Sequence, residues 1–247
     1  MEEPLTLERP RTVSEFQKMF DHIYGDKNEK EYTDDELTRR LCKEAMRMLE
    51  PGRKDRRDEL VPRLVCTYSW LNALATRLEI DLQDALWLKY PGVCSYCFKE
   101  THCLCGTEHP LKFKTKEEKN LMLRPLLRSR NGREPQTLHD HQEFHRRLYF
   151  WQHETEDPLR IIAHVAEEAD EIDTELWFWK SAKAQNDREE ASKRILETQN
   201  EIADMAGWVL TLANRLRIDF ADTVWSLYPY ECMTCHSDVC TCPHKVI

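Results

Sequence analysis

The chain predicts an all-α protein made of two tandem helical-bundle units, each closed by a four-cysteine loop. Three observations carry that expectation. Only six of 247 residues are Gly, which favours helices over turn-rich β structure. Apolar residues recur at helical spacing in every long segment. Most decisively, the sequence repeats itself. With Cys94 set on Cys232, a shift of 138 residues, Ile80-Asp81-Leu82-Gln83-Asp84 falls on Ile218-Asp219-Phe220-Ala221-Asp222. The same shift puts Arg77-Leu78 on Arg215-Leu216, Trp87 on Trp225, and Leu88-Lys89-Tyr90-Pro91 on Ser226-Leu227-Tyr228-Pro229. Upstream, a shift of 124 or 125 puts Thr12-Val13 on Thr137-Leu138, Gln17 on Gln142 and Ile23-Tyr24 on Leu148-Tyr149. The units span about 11–106 and 136–247, and the second has the longer spacer.

Each unit opens with an amphipathic helix, Val13 to Tyr24 and Leu138 to Trp151. A second helix and a spacer follow. Then come a long third helix (about Glu59 to Leu78; Arg188 to Leu216), a short helix after Ile-Asp, and the cysteine loop. Pro62 falls near a helix start, where proline is tolerated. Between the units, Thr107–Glu134 reads as a basic, turn-rich linker carrying Lys112, Lys114, Lys116, Lys119, Arg124, Arg128, Arg130 and Arg133, or as a phosphate-attracting lip.

In the second unit, Ile161, Ile162, Val165, Ala169, Ile172 and Leu176 mark a buried stripe, with Glu168, Glu171 and Glu175 along its edge. On the next long helix Glu197, Glu201 and Asp204 share a side with Trp208. Like charges at these spacings repel, so two helices that aim carboxylate pairs at one gap need a cation there. Hard oxygen ligands suit Mg²⁺ or Mn²⁺, which complete their shells with water and phosphate oxygens. The plain alternative is a pair of solvated acidic faces in a chain that is 33% charged.

The first unit lacks this set. Glu167-Glu168-Ala169-Asp170-Glu171 corresponds to Lys43-Glu44-Ala45-Met46-Arg47, and Glu201 and Asp204 to Arg63 and Cys66. A guanidinium in a ligand position repels the cation. The cysteine loops are intact in both units: Cys94, Cys97, Cys103 and Cys105, then Cys232, Cys235, Cys240 and Cys242. Four thiolates in a short loop suit a closed tetrahedral Zn²⁺ site, a structural staple, giving two zinc ions per chain. His102, His236 and His244 lie near enough to replace a cysteine, and redox or iron–sulfur roles are the alternatives. Cys42 and Cys66 read as core residues. His141 and His145, four apart with His139 nearby, have a spacing that can bind metal, although exposed helical histidines are common.

Glu-Glu-x-x-Glu followed by Glu-x-x-Asp on two helices resembles the MazG-like nucleotide pyrophosphohydrolases. Ile162-Ala163-His164 before Glu167-Glu168, and Leu212-Ala213-Asn214 before Ile218-Asp219, resemble the flanks of that family's core helices. The resemblance implies Mg²⁺ on Glu168, Glu171, Glu201 and Asp204, and cleavage of an NTP or dNTP to the monophosphate and pyrophosphate. It implies a carboxylate such as Glu167 or Glu175 as proton acceptor, with Lys180, Lys183, Asn214 and Trp208 near the nucleotide. It also implies pairing of units, as a homo-oligomer (dimer) or an intrachain pseudo-dimer. Asp170 departs from the family pattern, which often has a small residue there. A non-hydrolysing nucleotide sensor or scaffold is the rival.

The net charge of −9 gives no footprint for nucleic acid or an anionic membrane. No apolar run reaches the roughly 18 residues of a spanning helix, and Met1-Glu2-Glu3-Pro4 is unlike a signal peptide. These features predict a cytoplasmic protein whose ten cysteines are reduced or metal-bound.

Overall fold

The computed structural model of the chain describes residues 8–103, 105, 116–130 and 132–243. Lys112, Lys114 and His244 lie outside them, as do the side chains of Lys116 and Lys119. Among the described residues every regular element is an α-helix. The first unit holds α1 (Val13–Glu31), α2 (Asp34–Arg47), α3 (Leu49–Arg53), α4 (Arg57–Arg77) and α5 (Leu82–Lys89). The segment between the units contains α6 (Lys116–Ser129), and the second unit holds α7 (Leu138–Leu148), α8 (Phe150–Thr155), α9 (Pro158–Ala184), α10 (Arg188–Arg215) and α11 (Phe220–Leu227).

Side-chain caps fix where these helices start. Thr12 with Glu15, Thr33 with Glu36 and Thr137 with Asp140 form reciprocal capping boxes that satisfy otherwise unpaired N–H groups. Asp81 and Asp219 cap the two short helices by accepting from the Asp84 and Asp222 N–H groups, which explains the repeated Ile-Asp. Helix α1 runs past Tyr24 to Glu31, supported by the Asp26–Lys30 and Lys27–Glu31 pairs one turn apart. The opening helix of the second unit instead stops at Leu148, and α8 follows. Pro62 sits inside α4 rather than at its edge, because α4 begins at Arg57. The segment read as a turn-rich linker contains a helix of 14 residues, α6, whose Leu123 is buried. Its Leu, Met, Lys and Glu are all strong helix formers.

The core is a four-helix arrangement of α2, α4, α9 and α10, in which α9 packs most extensively on α10 and α2 packs on both α4 and α9. Buried Leu37, Leu41, Leu64, Leu71, Ile162, Val165, Ile202 and Val209 fill it. Opening helix α1 lies on α4, and α7 lies on α10. The short helices cross over. Helix α5 packs on α10 of the other unit, and α11 reaches α4 of the first. The repeated glutamine locks each short helix to its own opening helix. Gln17 donates to the Ile80 carbonyl at 2.8 Å and accepts from the Leu82 N–H at 3.0 Å; Gln142 does the same with Ile218 and Phe220 at 2.7 and 2.9 Å.

The cysteine loops cross over too. The His102 and Cys103 N–H groups donate to the Arg147 and Leu148 carbonyls at 3.0 and 2.7 Å, satisfying the open C-terminal end of α7. Cys240 N–H donates to the Ile23 carbonyl of α1 at 2.8 Å, and Lys27 Nζ to the Cys242 carbonyl at 2.7 Å. The two units are thus interleaved, each loop docking on the other's opening helix. No helix among the described residues is long and apolar enough to cross a membrane.

Candidate metal centres

Each cysteine loop brings its four thiols together. The Sγ atoms of Cys94, Cys97, Cys103 and Cys105 lie within 4.8 Å of one another, as do those of Cys232, Cys235, Cys240 and Cys242. Individual separations are 3.8 Å for Cys94–Cys105, 3.6 Å for Cys97–Cys103 and 3.8 Å for Cys232–Cys242. A disulfide needs about 2.05 Å. A tetrahedral ion with Zn–S bonds of about 2.3 Å sets its sulfurs about 3.8 Å apart, so the donor set fits such an ion. The backbone is built alike in both loops. Phe98 and its counterpart His236 have φ of 56° and 55°, and their N–H groups donate to the Cys94 and Cys232 carbonyls. The Tyr96 and Thr234 N–H groups point at the first sulfur of each loop at 3.4 and 3.5 Å, and such donors stabilise thiolate.

The carboxylate cluster lies between α9 and α10. One carboxylate oxygen from each of Glu168, Glu171 and Glu201 lies within 4.8 Å of the others. Glu201 is buried, Glu168 half-buried and Glu171 exposed, so the cluster has a dry side and an open side. The Trp208 indole N–H donates to Glu168 Oε1 at 3.1 Å, and the indole stacks on His164 with ring centroids 4.3 Å apart. Glu168 Oε2 is buried without a hydrogen-bond partner. Burial first, then Asp204, Glu171 and Glu201, push the Glu168 carboxyl up to about 9. An octahedral ion with bonds of about 2.1 Å spans oxygens roughly 3–4 Å apart, so small side-chain rotations would seat one here. The partnerless buried oxygen and the hard donor set both fit Mg²⁺ or Mn²⁺.

The remaining expected site residues are dispersed. Asp204 borders the cluster, but both its oxygens are taken by the first unit: Lys89 forms an ion pair with one, and the Tyr90 hydroxyl donates to the other at 2.5 Å. Glu167 points outward and pairs with His164 Nδ1 at 2.9 Å. Glu175 is held by Arg194 at 3.0 Å. Lys180 pairs with Asp35 of α2, and Lys183 lies 4.3 Å from the Trp179 ring centroid. Lys180 is nine residues beyond Glu171, about 14 Å along the helix. Asn214 is about 20 Å along α10 from Glu201. It accepts from Gln142 Nε2 at 3.1 Å and donates to the Gln142 carbonyl at 3.0 Å, the slot filled by Thr76 in the first unit.

His141 and His145 are buried core residues rather than exposed ones, and burial holds them down to about 3 and about 4. Their Nε2 atoms have no partner, and His145 packs edge-on against Tyr90 at 5.1 Å. His139 pairs instead with Asp219 at 2.9 Å. Reading the second unit alone misses Lys89 and Tyr90. The signal for Lys89 was in the repeat: it stands opposite Leu227, a charge in the unit that otherwise lacks the ligands. In the first unit, buried Glu44 takes ion pairs from Arg47 and from Arg63 at 3.3 Å, so guanidinium groups fill the place of the carboxylates. Comparison of the chain with family models, with curated proteins and with solved structures gives no match.

Proposed function

We propose that the protein is a Mg²⁺- or Mn²⁺-dependent nucleotide pyrophosphohydrolase that cleaves an NTP or dNTP to the monophosphate and pyrophosphate, with its working site in the second unit. The observation that carries this is the Glu168–Glu171–Glu201 cluster, with a buried, partnerless oxygen and an open side flanked by stacked His164 and Trp208. A divalent ion bound there would supply charge neutralisation for a polyphosphate and acidify an attacking water. Glu168, Glu171 and Glu201 would hold it, while Asp204 behind them is already paired with Lys89. Glu167, on the exposed edge and paired with His164, would accept the proton of a water activated there. The Trp208–His164 stack presents an aromatic wall for a base.

We assign Zn²⁺ to both cysteine loops as a structural ion, since four thiolates leave no open coordination position. In this reading the first unit serves as an internal partner, an intrachain pseudo-dimer, and a homodimer adds to it. The test is pyrophosphate release from a panel of ribo- and deoxynucleoside triphosphates with Mg²⁺. Release that disappears in Glu201→Gln supports the assignment. Nucleotide binding without release would instead make the protein a sensor or scaffold.

A further inference from the structure

Asp204, the fourth carboxylate expected at the site, is not left to its acidic neighbours. Asp204 is contacted on both oxygens by consecutive residues of the first unit, Lys89 at the end of α5 and Tyr90 just beyond it. Lys89 and Tyr90 are buried and Asp204 is half-buried, with the Lys89 and Asp204 side chains 10% and 15% exposed. Burying an ammonium is costly unless it is paired, and the C-terminal end of a helix favours a cation. The ammonium also feels Glu201, and it acts on Glu168. Gly207 on α10 leaves room for this approach: a Cβ there would lie 3.2 Å from both the Tyr90 hydroxyl oxygen and His145 Nε2. Packing alone does not require the charge, because the matching position on α11 is Leu227 in the same crossed-over geometry.

We propose that Lys89 is a resident cation, lent by the first unit, that reserves Asp204 and limits the Glu168–Glu171–Glu201 cluster to a single divalent ion. The inference rests on the reading of that cluster as a divalent site. It makes Lys89 a positioning residue and gives the ligand-poor first unit a direct part in the chemistry of the second. Four carboxylates on two facing helices carry charge enough for two divalent ions. With Lys89 in place, one of those charges is already balanced and both oxygens of Asp204 are occupied.

Mn²⁺ binding followed by electron paramagnetic resonance, with zinc left in the cysteine loops, tests this on the full chain. Wild type is expected to take one Mn²⁺ that Glu168→Gln abolishes. Lys89→Leu, which copies the residue at position 227, is expected to take two, and Lys89→Arg to return to one. Should Lys89→Leu fail to fold, as judged by circular dichroism, Lys89→Gln carries the same readout. Two ions in wild type, or one ion of unchanged affinity in Lys89→Leu, would overturn the proposal and leave the divalent site standing. Binding in Lys89→Leu but not in wild type would overturn the one-ion limit and refute the hydrolase reading as well. Absence of binding in both would refute both.

Discussion

The two halves share a frame and differ in what they put inside it. In the second, Glu168, Glu171 and Glu201 come together with Asp204 at their border, Trp208 stacks on His164, and His145 meets Tyr90 edge-on. In the first, the same positions hold Glu44, Arg47, Arg63 and Cys66, with Arg40 above Trp70 at 6.0 Å and Phe20 meeting Tyr228 edge-on at 5.2 Å. The aromatic scaffold is kept, while carboxylates have given way to guanidinium groups and a polar base of the site to an apolar one. A helix frame constrains shape far more tightly than charge at its half-exposed positions, so one half can change its chemistry without changing its fold.

The largest expected contrast between the halves is catalytic. Glu201→Gln should lower pyrophosphate release by at least about 10³-fold, since it removes several kcal/mol of charge stabilisation. The matching change Arg63→Gln should leave the rate unchanged. Rates followed at saturating Mg²⁺ decide it, and equal losses from both changes would erase the assignment of the site to one half.

The cysteine loops should behave alike, but with crossed consequences. Elemental analysis is expected to give two zinc ions per chain, and one after Cys94→Ser or Cys232→Ser. Each loss should lower the melting temperature by about 10 °C, a few kcal/mol in a chain of this size. Because the loops dock across the units, Cys94→Ser should speed hydrogen exchange in α7, and Cys232→Ser in α1. Fraying confined to the mutated loop's own unit would contradict the interleaved arrangement.

The pH dependence of stability should also separate the halves. With Glu168 raised to about 9 in the fold and near 4.5 when unfolded, the folded state holds the extra proton between those values. Stability of the metal-free protein should therefore fall as pH rises through that window, and Glu168→Gln should flatten the slope. Below about 6.5 the slope reverses, because buried His141, His145 and His153 stay neutral in the fold and take up protons on unfolding. Melting curves across pH, with and without Mn²⁺, measure both arms.

Gly207→Ala should have the smallest effect. Alanine adds about 1 kcal/mol of helix propensity. The new methyl also pushes on Tyr90 and His145 at 3.2 Å, so stability should stay near wild type while Mn²⁺ affinity shifts. Unchanged affinity would mean that the Tyr90–Asp204 contact is not needed to shape the site.

Helical class, the repeat, the element order and both cysteine loops were legible in the chain. They are written in local patterns: apolar periodicity, Ile-Asp caps, and cysteines close in sequence. The three glutamates that meet were legible for the same reason, since each lies on the inner edge of one amphipathic helix. The boundaries of α1 and α7 and the helix between the units were less so, because ion pairs one turn apart and a buried Leu123 extend helices beyond their apolar stripe. Lys180 and Asn214 share helices with the site residues, but lie several turns away and have partners of their own.

Crossing over belongs to the tertiary structure. Nothing local in Leu82–Lys89 distinguishes packing on α4 from packing on α10, since both long helices offer the same apolar side. The choice falls to α10 because the glutamine lock fixes α5 to α1, and α1 on α4 leaves α5 facing the other unit. That crossing delivers Lys89 and Tyr90 to Asp204, over a separation of 115 and 114 residues. Periodicity determines which residues a helix buries, whereas the partner it meets depends on contacts made between distant parts of the chain.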